Sequence, residues 1–325
     1  MLSHEGLFWN SINTSLRLNI SQADAAVIFL PLFHTGGWNV LSTPFFHRGA
    51  HIILTKKFDG NQILTLSEKY RTTLLFGVPT TMKMMSQSKI FLSINLDSIR
   101  YAIVGGEPMP LEEIKTWENK KIPIRQGYGL TEFGPNVFSL NENDSVRKMG
   151  SIGFPNFYVQ VKVMNENGQI CTASEVGELW LKGPMAMTGY WNNEKATADT
   201  FFEGWLKTGD LVYFDSEDYF YVVGRKKDMY KSGGENVYPA EIEKTILELT
   251  WIKEVAVIGH QDAQWGEVGH AYVVAKEGHL FNQDHLLQHC SENLAKFKIP
   301  KYFTEMQDLP KGDSGKILKR LINQC

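Results

Sequence analysis

Three polar side chains in one short stretch of the sequence have the types that bind a phosphate and a cation. The stretch QGYGLTEFG contains Tyr128, Thr131 and Glu132 among glycines, directly after an apolar run. An aromatic ring can stack on a base, a hydroxyl can donate to a phosphate, and a carboxylate is a hard oxygen ligand for Mg²⁺. The alternative is an ordinary loop with an exposed glutamate.

A glycine pair follows a neighbouring apolar run. In VGGEPMP, Gly105 and Gly106 come after a strand-like segment and before a helix-like one, with no side chains to keep a ligand off the backbone. In open α/β sheets, ligands bind beyond the carboxyl ends of the strands. The alternative is a plain turn, because Gly-Gly pairs are common in turns.

The second half of the chain adds three charged candidates. Asp210 in LKTGDL and Arg225 in GRKKD could together hold the hydroxyls of a ribose, although the basic residues around Arg225 also fit a solvated charge run. Lys316 lies in the glycine-flanked stretch GDSGKI. A Walker phosphate loop has four residues between its first Gly and the pair Gly-Lys, and a Ser or Thr after the Lys. This stretch has neither feature, so it is not one. Lys316 is therefore either a mobile ligand-binding lysine or a surface lysine.

Alternating patterns predict the elements that position these residues. From residue 25 to about 127, apolar runs alternate with helix-like segments, which predicts parallel βαβ units in a doubly wound, mostly parallel α/β sheet. Short strands separated by turn residues then predict a small antiparallel β region. We expect a large domain, 1–226, with an α/β part (1–149) and a β-rich part (150–226), and a small mobile α+β C-terminal domain, 227–325.

Two helix starts are marked by residue type. Ser3 is a good N-cap, because its hydroxyl can accept from a free N–H of the first turn. Apolar residues recur at helical spacing after it, in LFWNSINTSL. Pro239 is placed where the first residue of a later helix is expected, in the stretch PAEIEKTILELT.

Composition excludes several classes of protein. The 325 residues carry a net charge of −3, which gives no broad basic surface for nucleic acid. No apolar run reaches the ~18–20 residues that cross a bilayer. Three widely spaced cysteines fit a reducing compartment better than a disulfide framework, and no signal peptide is visible, so we expect a cytoplasmic protein.

Seven ordered stretches together resemble the adenylate-forming superfamily, whose members include acyl-CoA synthetases, adenylation domains of peptide synthetases and beetle luciferases. They are LPLFHTGG, VGGEPMP, YGLTE, GELWLKG with GYW, WLKTGDL, GRKKDMYKSGGENVYPAEIE and SGKILKR. The resemblance spans essentially the whole chain and is nearest to a bacterial fatty-acid- or aryl-CoA ligase. It implies ATP, Mg²⁺ and coenzyme A as cofactors or co-substrates.

The resemblance also implies roles for individual residues. Binding of ATP or AMP falls to Gly106, Glu107, Tyr128, Gly129, Thr131, Asp210, Arg225 and Lys316. Within that set, Thr131 contacts the α-phosphate, and Asp210 and Arg225 bind the ribose hydroxyls. Glu132 is the Mg²⁺ ligand. Lys316, Glu132, Thr131 and His34 are implied to be catalytic.

Other positions concern the thiol and the acid. Gly233 and Gly234 resemble the bare stretch that lines the coenzyme A tunnel, and Lys227 matches the hinge of the C-terminal domain. His34 matches the gate between that tunnel and the acyl pocket. Amino-acid-activating relatives tend to carry an Asp in its place, so an apolar carboxylic acid is favoured here. We expect a medium- or long-chain fatty acid, with an aryl acid as the alternative.

One part of the family pattern is missing. No glycine-, serine- and threonine-rich loop that could cradle the β- and γ-phosphates of ATP occurs in the 325 residues. We therefore expect an N-terminally truncated, impaired ligase. The alternative is a natural short module or pseudoenzyme that binds nucleotide or acyl-adenylate. Apolar surface bared by the missing part predicts self-association, and peripheral membrane contact stays open.

Overall fold

A computed structural model describes residues 1–312 and 316–322 of the chain. It contains two compact units. The first comprises Met1–Thr208 and Val212–Val222, and the second comprises Gly209–Leu211 and the residues from Val223 onward. The boundary expected between residues 226 and 227 stays a prediction. Within the described residues, every helix is too short or too polar to span a membrane.

Helices and strands alternate along most of the chain. In chain order the α-helices are α1 His4–Arg17, α2 Thr35–Gly37, α3 Thr43–Arg48, α4 Gly60–Lys69, α5 Pro79–Ser86, α6 Leu111–Asn119, α7 Glu194–Thr200, α8 Pro239–Leu247, α9 Gln283–Asn293 and α10 Lys319–Ile322. A π-helical turn, Trp38–Ser42, joins α2 to α3, and short 3₁₀ turns cover Glu142–Asp144 and Lys296–Lys298.

The strands follow the same order. They are β1 Ala25–Ile28, β2 His51–Leu54, β3 Leu74–Gly77, β4 Tyr101–Val104, β5 Ile124–Leu130, β6 Gly134–Ser139, β7 Ser151–Pro155, β8 Gln160–Met164, β9 Gly177–Lys182, β10 Phe201–Phe202, β11 Trp205–Phe214, β12 Phe220–Arg225, β13 Tyr230–Ser232, β14 Glu235–Val237, β15 Ile252–Asp262, β16 Gly266–Ala275 and β17 Tyr302–Glu305.

Parallel pairing dominates the first part of the chain. β1 pairs with β2, and β3, β4 and β5 pair in that order, all in parallel. Alternate residues of β3 and β4 enter two different cores. Leu75 and Val104 pack with α4, α5 and α6, whereas Phe76 and Ile103 pack with the helical segment 38–45. Helices therefore cover both faces, and the predicted doubly wound α/β class is confirmed.

The pairing changes direction within β5. Its first residues pair in parallel with β4, and its later residues pair antiparallel with β6. The same sheet continues through β7, β12, β11, β9 and β8. This run contains the antiparallel region predicted from the short strands and turns after residue 150.

Helix α1 begins as predicted but buries an unexpected face. The Ser3 hydroxyl accepts from the Gly6 N–H at 2.9 Å and so caps the helix. Phe8 and Leu16 of its apolar stripe are 48% and 54% exposed. Its polar residues face inward instead: Asn10, Ser11, Asn13, Thr14 and Ser15 are all buried.

Hydrogen bonds compensate for much of this polar burial. The Asn10 side chain donates to the Asn39 carbonyl at 2.9 Å, and the Asn136 amide donates to the Thr14 hydroxyl at 2.8 Å. Buried polar groups that are paired in this way cost little, whereas unpaired ones cost a lot. Specific long-range partners therefore decide which face of α1 is buried.

The second unit is a small α+β structure. β15 and β16 form a long antiparallel hairpin, to which β13 and β17 add on the β16 side. Helices α8 and α9 pack on one face through Ile242, Ile246 and Leu286. Pro239 is the first residue of α8, as predicted. Leu309 and Ile322 from the end of the chain cover the other face of the hairpin.

Candidate functional site

Gly105 and Gly106 follow the carboxyl end of β4, as the sequence predicts. Gly106 has φ +88°, a conformation that residues other than glycine rarely adopt. The loop after it is fixed by the buried side chain of Gln126 on the neighbouring strand β5. Gln126 donates to the Glu107 carbonyl at 3.0 Å and accepts from the Met109 N–H at 3.2 Å. Glu107 itself is exposed.

Tyr128 and Gly129 lie on the part of β5 that pairs with β6. The Tyr128 ring is half-buried and meets the Phe138 ring edge-on, with 5.9 Å between centroids. Gly129 has no space for a side chain, because a Cβ there would be 2.2 Å from the Pro135 carbonyl carbon. The structure therefore gives Gly129 a packing reason that is independent of any ligand.

Thr131 and Glu132 form the turn between β5 and β6. Thr131 is exposed and Glu132 is half-buried. The Tyr190 hydroxyl donates to Oε1 of Glu132 at 2.9 Å. Among the residues that the structure describes, the second oxygen of Glu132 accepts no hydrogen bond and joins no ion pair.

Glu132 has the chemistry of a Mg²⁺ ligand but cannot make a site alone. Mg²⁺ usually takes one or two carboxylates and completes its shell with water and substrate phosphates. Within residues 1–312 and 316–322, no group of three or more His, Cys, Asp or Glu side chains could hold a metal ion. A half-buried carboxylate with one oxygen open therefore fits a cation that arrives with a nucleotide.

His34 lies at the start of a continuous helical segment in the first unit. It is exposed and caps α2, because its Nδ1 accepts from the Gly36 N–H at 3.0 Å. The residues after it divide between core and surface. Val40, Leu41 and Phe45 are buried, whereas the Phe46 ring is 65% exposed.

Asp210 and Arg225 are brought together in the second unit. Their side chains form an ion pair with 2.5 Å between Nη1 and Oδ1. Asp210 is 6% exposed, whereas the Arg225 side chain is 47% exposed. The pair thus combines a fixed carboxylate with an accessible guanidinium, a combination that suits vicinal hydroxyls.

The remaining sites of the second unit lie on turns. Lys227 is exposed in the turn between β12 and β13. Gly233 and Gly234 form the two-residue turn between β13 and β14, with φ +61° and +88°. Positive φ at both positions is typical of a type I′ hairpin turn. A Cβ on Gly233 would be 3.2 Å from the Trp265 ring, but one on Gly234 would have nothing within 4 Å.

Lys316 is exposed next to a segment outside the described residues. Its carbonyl accepts from the Gly312 N–H at 3.0 Å, and its neighbour Ile317 bridges to Lys311. This antiparallel bridge pairs the backbone of Lys311 and Gly312 with that of Lys316 and Ile317.

Two contributors to this region were missed from the sequence. Gln126 holds the loop after Gly106 through hydrogen bonds, and Tyr190 donates to Glu132. Neither residue shares a sequence motif with its partner. Tyr190 is 58 residues from Glu132 along the chain. The motif GYW, which the resemblance includes, was the one available signal for Tyr190.

Family models match both parts of the chain. Residues 1–191 match the model described as AMP-binding enzyme, and residues 241–316 match AMP-binding enzyme C-terminal domain. This chain is an AMP-binding enzyme family member. Two curated relatives cover nearly all of it. Feruloyl-CoA synthase of an Amycolatopsis species is 37% identical over 98% of this chain, and long-chain-fatty-acid–CoA ligase FadD13 of Mycobacterium tuberculosis is 36% identical over 99%.

A solved structure of the same family agrees with the fold. O-succinylbenzoate coenzyme A synthetase (MenE) of Bacillus subtilis, in complex with ATP and magnesium ion, aligns with a TM-score of 0.92 at 34% identity. That alignment covers 99% of this chain and 66% of the other. The chain likewise spans 65% of the length of the feruloyl-CoA synthase and 63% of FadD13.

Proposed function

We propose that the protein is an AMP-forming acid–thiol ligase that activates a carboxylic acid and transfers it to coenzyme A. One observation carries the proposal. The carboxyl ends of the neighbouring parallel strands β4 and β5 lead into a glycine turn with positive φ, a half-buried aromatic ring, and a turn with a hydroxyl and a carboxylate. This is where open α/β sheets bind nucleotides, and the relatives named above support the same class.

The first step joins the acid to AMP. A carboxylate oxygen of the acid attacks the α-phosphorus of ATP, a new P–O bond forms, and pyrophosphate leaves. Thr131 donates to the α-phosphate, and Lys316 neutralises the two anions that must meet. Mg²⁺, which Glu132 would help to hold, supplies further neutralisation when bound with ATP. Fixed positive charge and positioning account for most of the catalysis in such phosphate chemistry.

The second step transfers the acyl group. The thiolate of coenzyme A, whose proton is lost to solvent, attacks the acyl carbon of the adenylate. The C–O bond to AMP breaks, the thioester forms and AMP leaves as an anion. Gly233 and Gly234 are assigned to the passage of the thiol, and His34 is assigned to the gate of the acyl pocket. Lys227 is assigned as the hinge of the second unit, because hinges are a few residues at element ends. Lys316 would act before the hinge movement, in adenylation, and Gly233 and Gly234 after it, in thiol transfer.

The acid has an apolar body. His34 offers no carboxylate that could pair with an amino group, and exposed aromatic rings follow it in the same helical segment. We propose a medium- or long-chain fatty acid. An aryl acid is the second candidate, favoured by the similarity to feruloyl-CoA synthase and to indoleacetate–CoA ligase.

ATP–pyrophosphate exchange with a panel of acids tests the proposal. Decanoate, palmitate and ferulate are compared with alanine. Exchange that depends on an apolar acid is expected from a protein that contains these residues together with a phosphate-cradling loop. The 325 residues contain no such loop, so weak or no exchange is expected from them alone. Exchange driven by alanine, or AMP formation that never leads to a thioester, would overturn the assignment.

The coding DNA upstream of Met1 distinguishes a fragment from a natural short module. An in-frame stretch like SSGTTGxPK supports the ligase. An upstream stop codon without such a stretch would instead support a module that binds nucleotide or acyl-adenylate. For that module, turnover of supplied acyl-adenylate with coenzyme A is the largest activity expected. A cytoplasmic location stays a prediction from the composition.

We further propose that the 325-residue chain self-associates through the exposed apolar side chains of α1 and α3. Phe8 and Leu16 on α1 and Phe46 on α3 are 48%, 54% and 65% exposed, and exposed apolar area drives association. Light scattering should show a mass that rises with concentration. Phe8→Ser with Phe46→Ser should reduce it, and a monodisperse wild-type monomer without detergent would contradict the proposal.

A further inference from the structure

The segment Met187–Tyr190 contacts Glu132 at two points. The Met187 N–H donates to the Glu132 carbonyl at 2.7 Å, and the Tyr190 hydroxyl donates to the Glu132 carboxylate at 2.9 Å. One contact fixes the backbone of the turn, and the other fixes the end of the side chain. Glu132 is therefore oriented by a segment that lies more than 50 residues away along the chain.

Tyr190 is itself held in place by neighbouring residues. Its N–H donates to the Thr197 hydroxyl at 2.9 Å, and that hydroxyl donates to the Asn193 carbonyl at 2.9 Å. Gly189 before it has φ +145°, and a Cβ there would be 2.8 Å from the Thr197 methyl group. These contacts fix the backbone of Tyr190, and the hydrogen bond to Glu132 fixes the end of its side chain.

These contacts give the two oxygens of Glu132 different tasks. We propose that Tyr190 is a positioning residue, which holds Oε1 of Glu132 so that Oε2 is directed toward the metal ion that enters with ATP. This inference rests on the proposed function, in which Glu132 is the metal ligand. Hydrogen bonds to a metal-binding carboxylate typically raise metal affinity or activity by ten- to a hundredfold.

Binding of Mn²⁺ in place of Mg²⁺ tests the assignment directly. Mn²⁺ is observed by electron paramagnetic resonance, alone and in a fixed mixture with ATP, before and after adding the wild-type chain or one of three variants. Because ATP alone also binds Mn²⁺, the change in the spectrum on adding protein is what reports the protein-bound metal. Tyr190→Phe removes the donor, and Glu132→Gln removes the ligand charge. Tyr221→Phe is the matched control, because the Tyr221 hydroxyl donates to the Asp215 carboxylate at 3.2 Å outside the site.

The wild type is expected to bind Mn²⁺ only with ATP. Tyr190→Phe should weaken that binding about tenfold, with ATP affinity in the absence of metal unchanged. Tyr221→Phe should bind like the wild type. A structural role alone would lower the melting temperature of Tyr190→Phe without this metal-specific loss.

The outcomes separate this inference from the proposed function. If Glu132→Gln weakens Mn²⁺ binding but Tyr190→Phe does not, the positioning role is wrong and the ligase proposal stands. If the wild type binds no Mn²⁺ with ATP, or Glu132→Gln binds normally, the metal role of Glu132 and the inference both fail. Thr197→Val, which loosens Tyr190 without removing its hydroxyl, should cause a smaller loss and serves if Tyr190→Phe does not fold.

Discussion

Two candidate features of the first unit are held by neighbouring side chains, whereas three candidate residues of the second unit are exposed. Gln126 holds the loop after Gly106, and Tyr190 holds Glu132. Lys227, Gly234 and Lys316 are exposed instead. Fixed groups suit the binding of a nucleotide in one geometry. Groups on exposed turns suit steps that alternate, such as adenylation and thiol transfer. The proposed division of labour between the units would make use of this difference.

Of the changes predicted here, Lys316→Ala should have the largest effect, which is on the rate of adenylation. Removing the charge should slow adenylation on the order of a hundredfold or more and leave thioester formation from supplied acyl-adenylate intact. Because the side chain is exposed, the free energy of unfolding should change by less than about 0.5 kcal/mol. The two half-reactions are measured separately, and an equal loss of both would contradict the division.

Gly129→Ala should mainly affect stability. Its Cβ would lie 2.2 Å from the backbone of Pro135, so β5 or β6 must move. We expect a loss of about 3 kcal/mol or failure to fold, as for strong overpacking. Gly105→Ala is the matched control, because its Cβ would be 3.5 Å from the nearest atom. Urea unfolding measures both, and equal losses would show that Gly129 is not packed as described.

Gly234→Ala, in the second unit, should change activity more than stability. No atom lies within 4 Å of the added Cβ, so only the positive φ of +88° opposes it. That strain costs about 1 kcal/mol or slightly more. We expect thioester formation to fall while adenylation is kept, as measured by acyl-CoA and pyrophosphate release. Loss of adenylation alone would place Gly234 outside the thiol path.

The smallest predicted effect concerns an ion pair of the first unit. Burial raises the pKa of Asp215, but hydrogen bonds from Lys148 and from the N–H groups of Tyr219 and Glu217 outweigh it and lower the pKa to about 2. The unfolded value is near 3.9. Stabilisation is therefore full above that value and is lost as the pH falls toward 2.

Asp215→Asn tests that dependence. The pair is partly exposed and screened, so we expect a loss of about 1 kcal/mol at pH 7. The difference from wild type should shrink between pH 4 and pH 2, where the wild-type carboxylate gains its proton. Asp218→Asn, in the same turn, is the control. Unfolding by urea at several pH values measures both, and a difference that grows in acid would reverse the assigned sign.

Local patterns were enough to predict much of the fold. The apolar runs at Ala25–Ile28, Leu74–Gly77 and Tyr101–Val104 became fully buried strands, because a parallel sheet covered on both faces has no polar side. Ser3 and Pro239 marked helix starts through bonds and φ angles that concern only nearby residues. Such features are readable because their causes lie within one turn of the chain.

Hydrogen bonds between residues distant in the sequence could not be predicted from those patterns. The apolar stripe of α1 gave no warning that Asn13 and Thr14 would be buried, since their partners come from distant segments. The same holds for Tyr190 and Gln126, whose hydrogen bonds join the site to residues 58 and 19 positions away. The candidate site residues were named from their types and motifs and stay predictions, whereas the side chains that contact them could not be predicted.

The π-helical turn at Trp38–Ser42 has a consequence for how this region tolerates change. A π-turn contains about one residue more than an α-turn. Deleting one residue there would restore a regular helix and rotate His34 by about 100° relative to Phe45, since an α-helix has 3.6 residues per turn. The extra residue of the π-turn therefore sets the direction of His34 relative to Phe45, and no substitution within the helix reproduces that rotation.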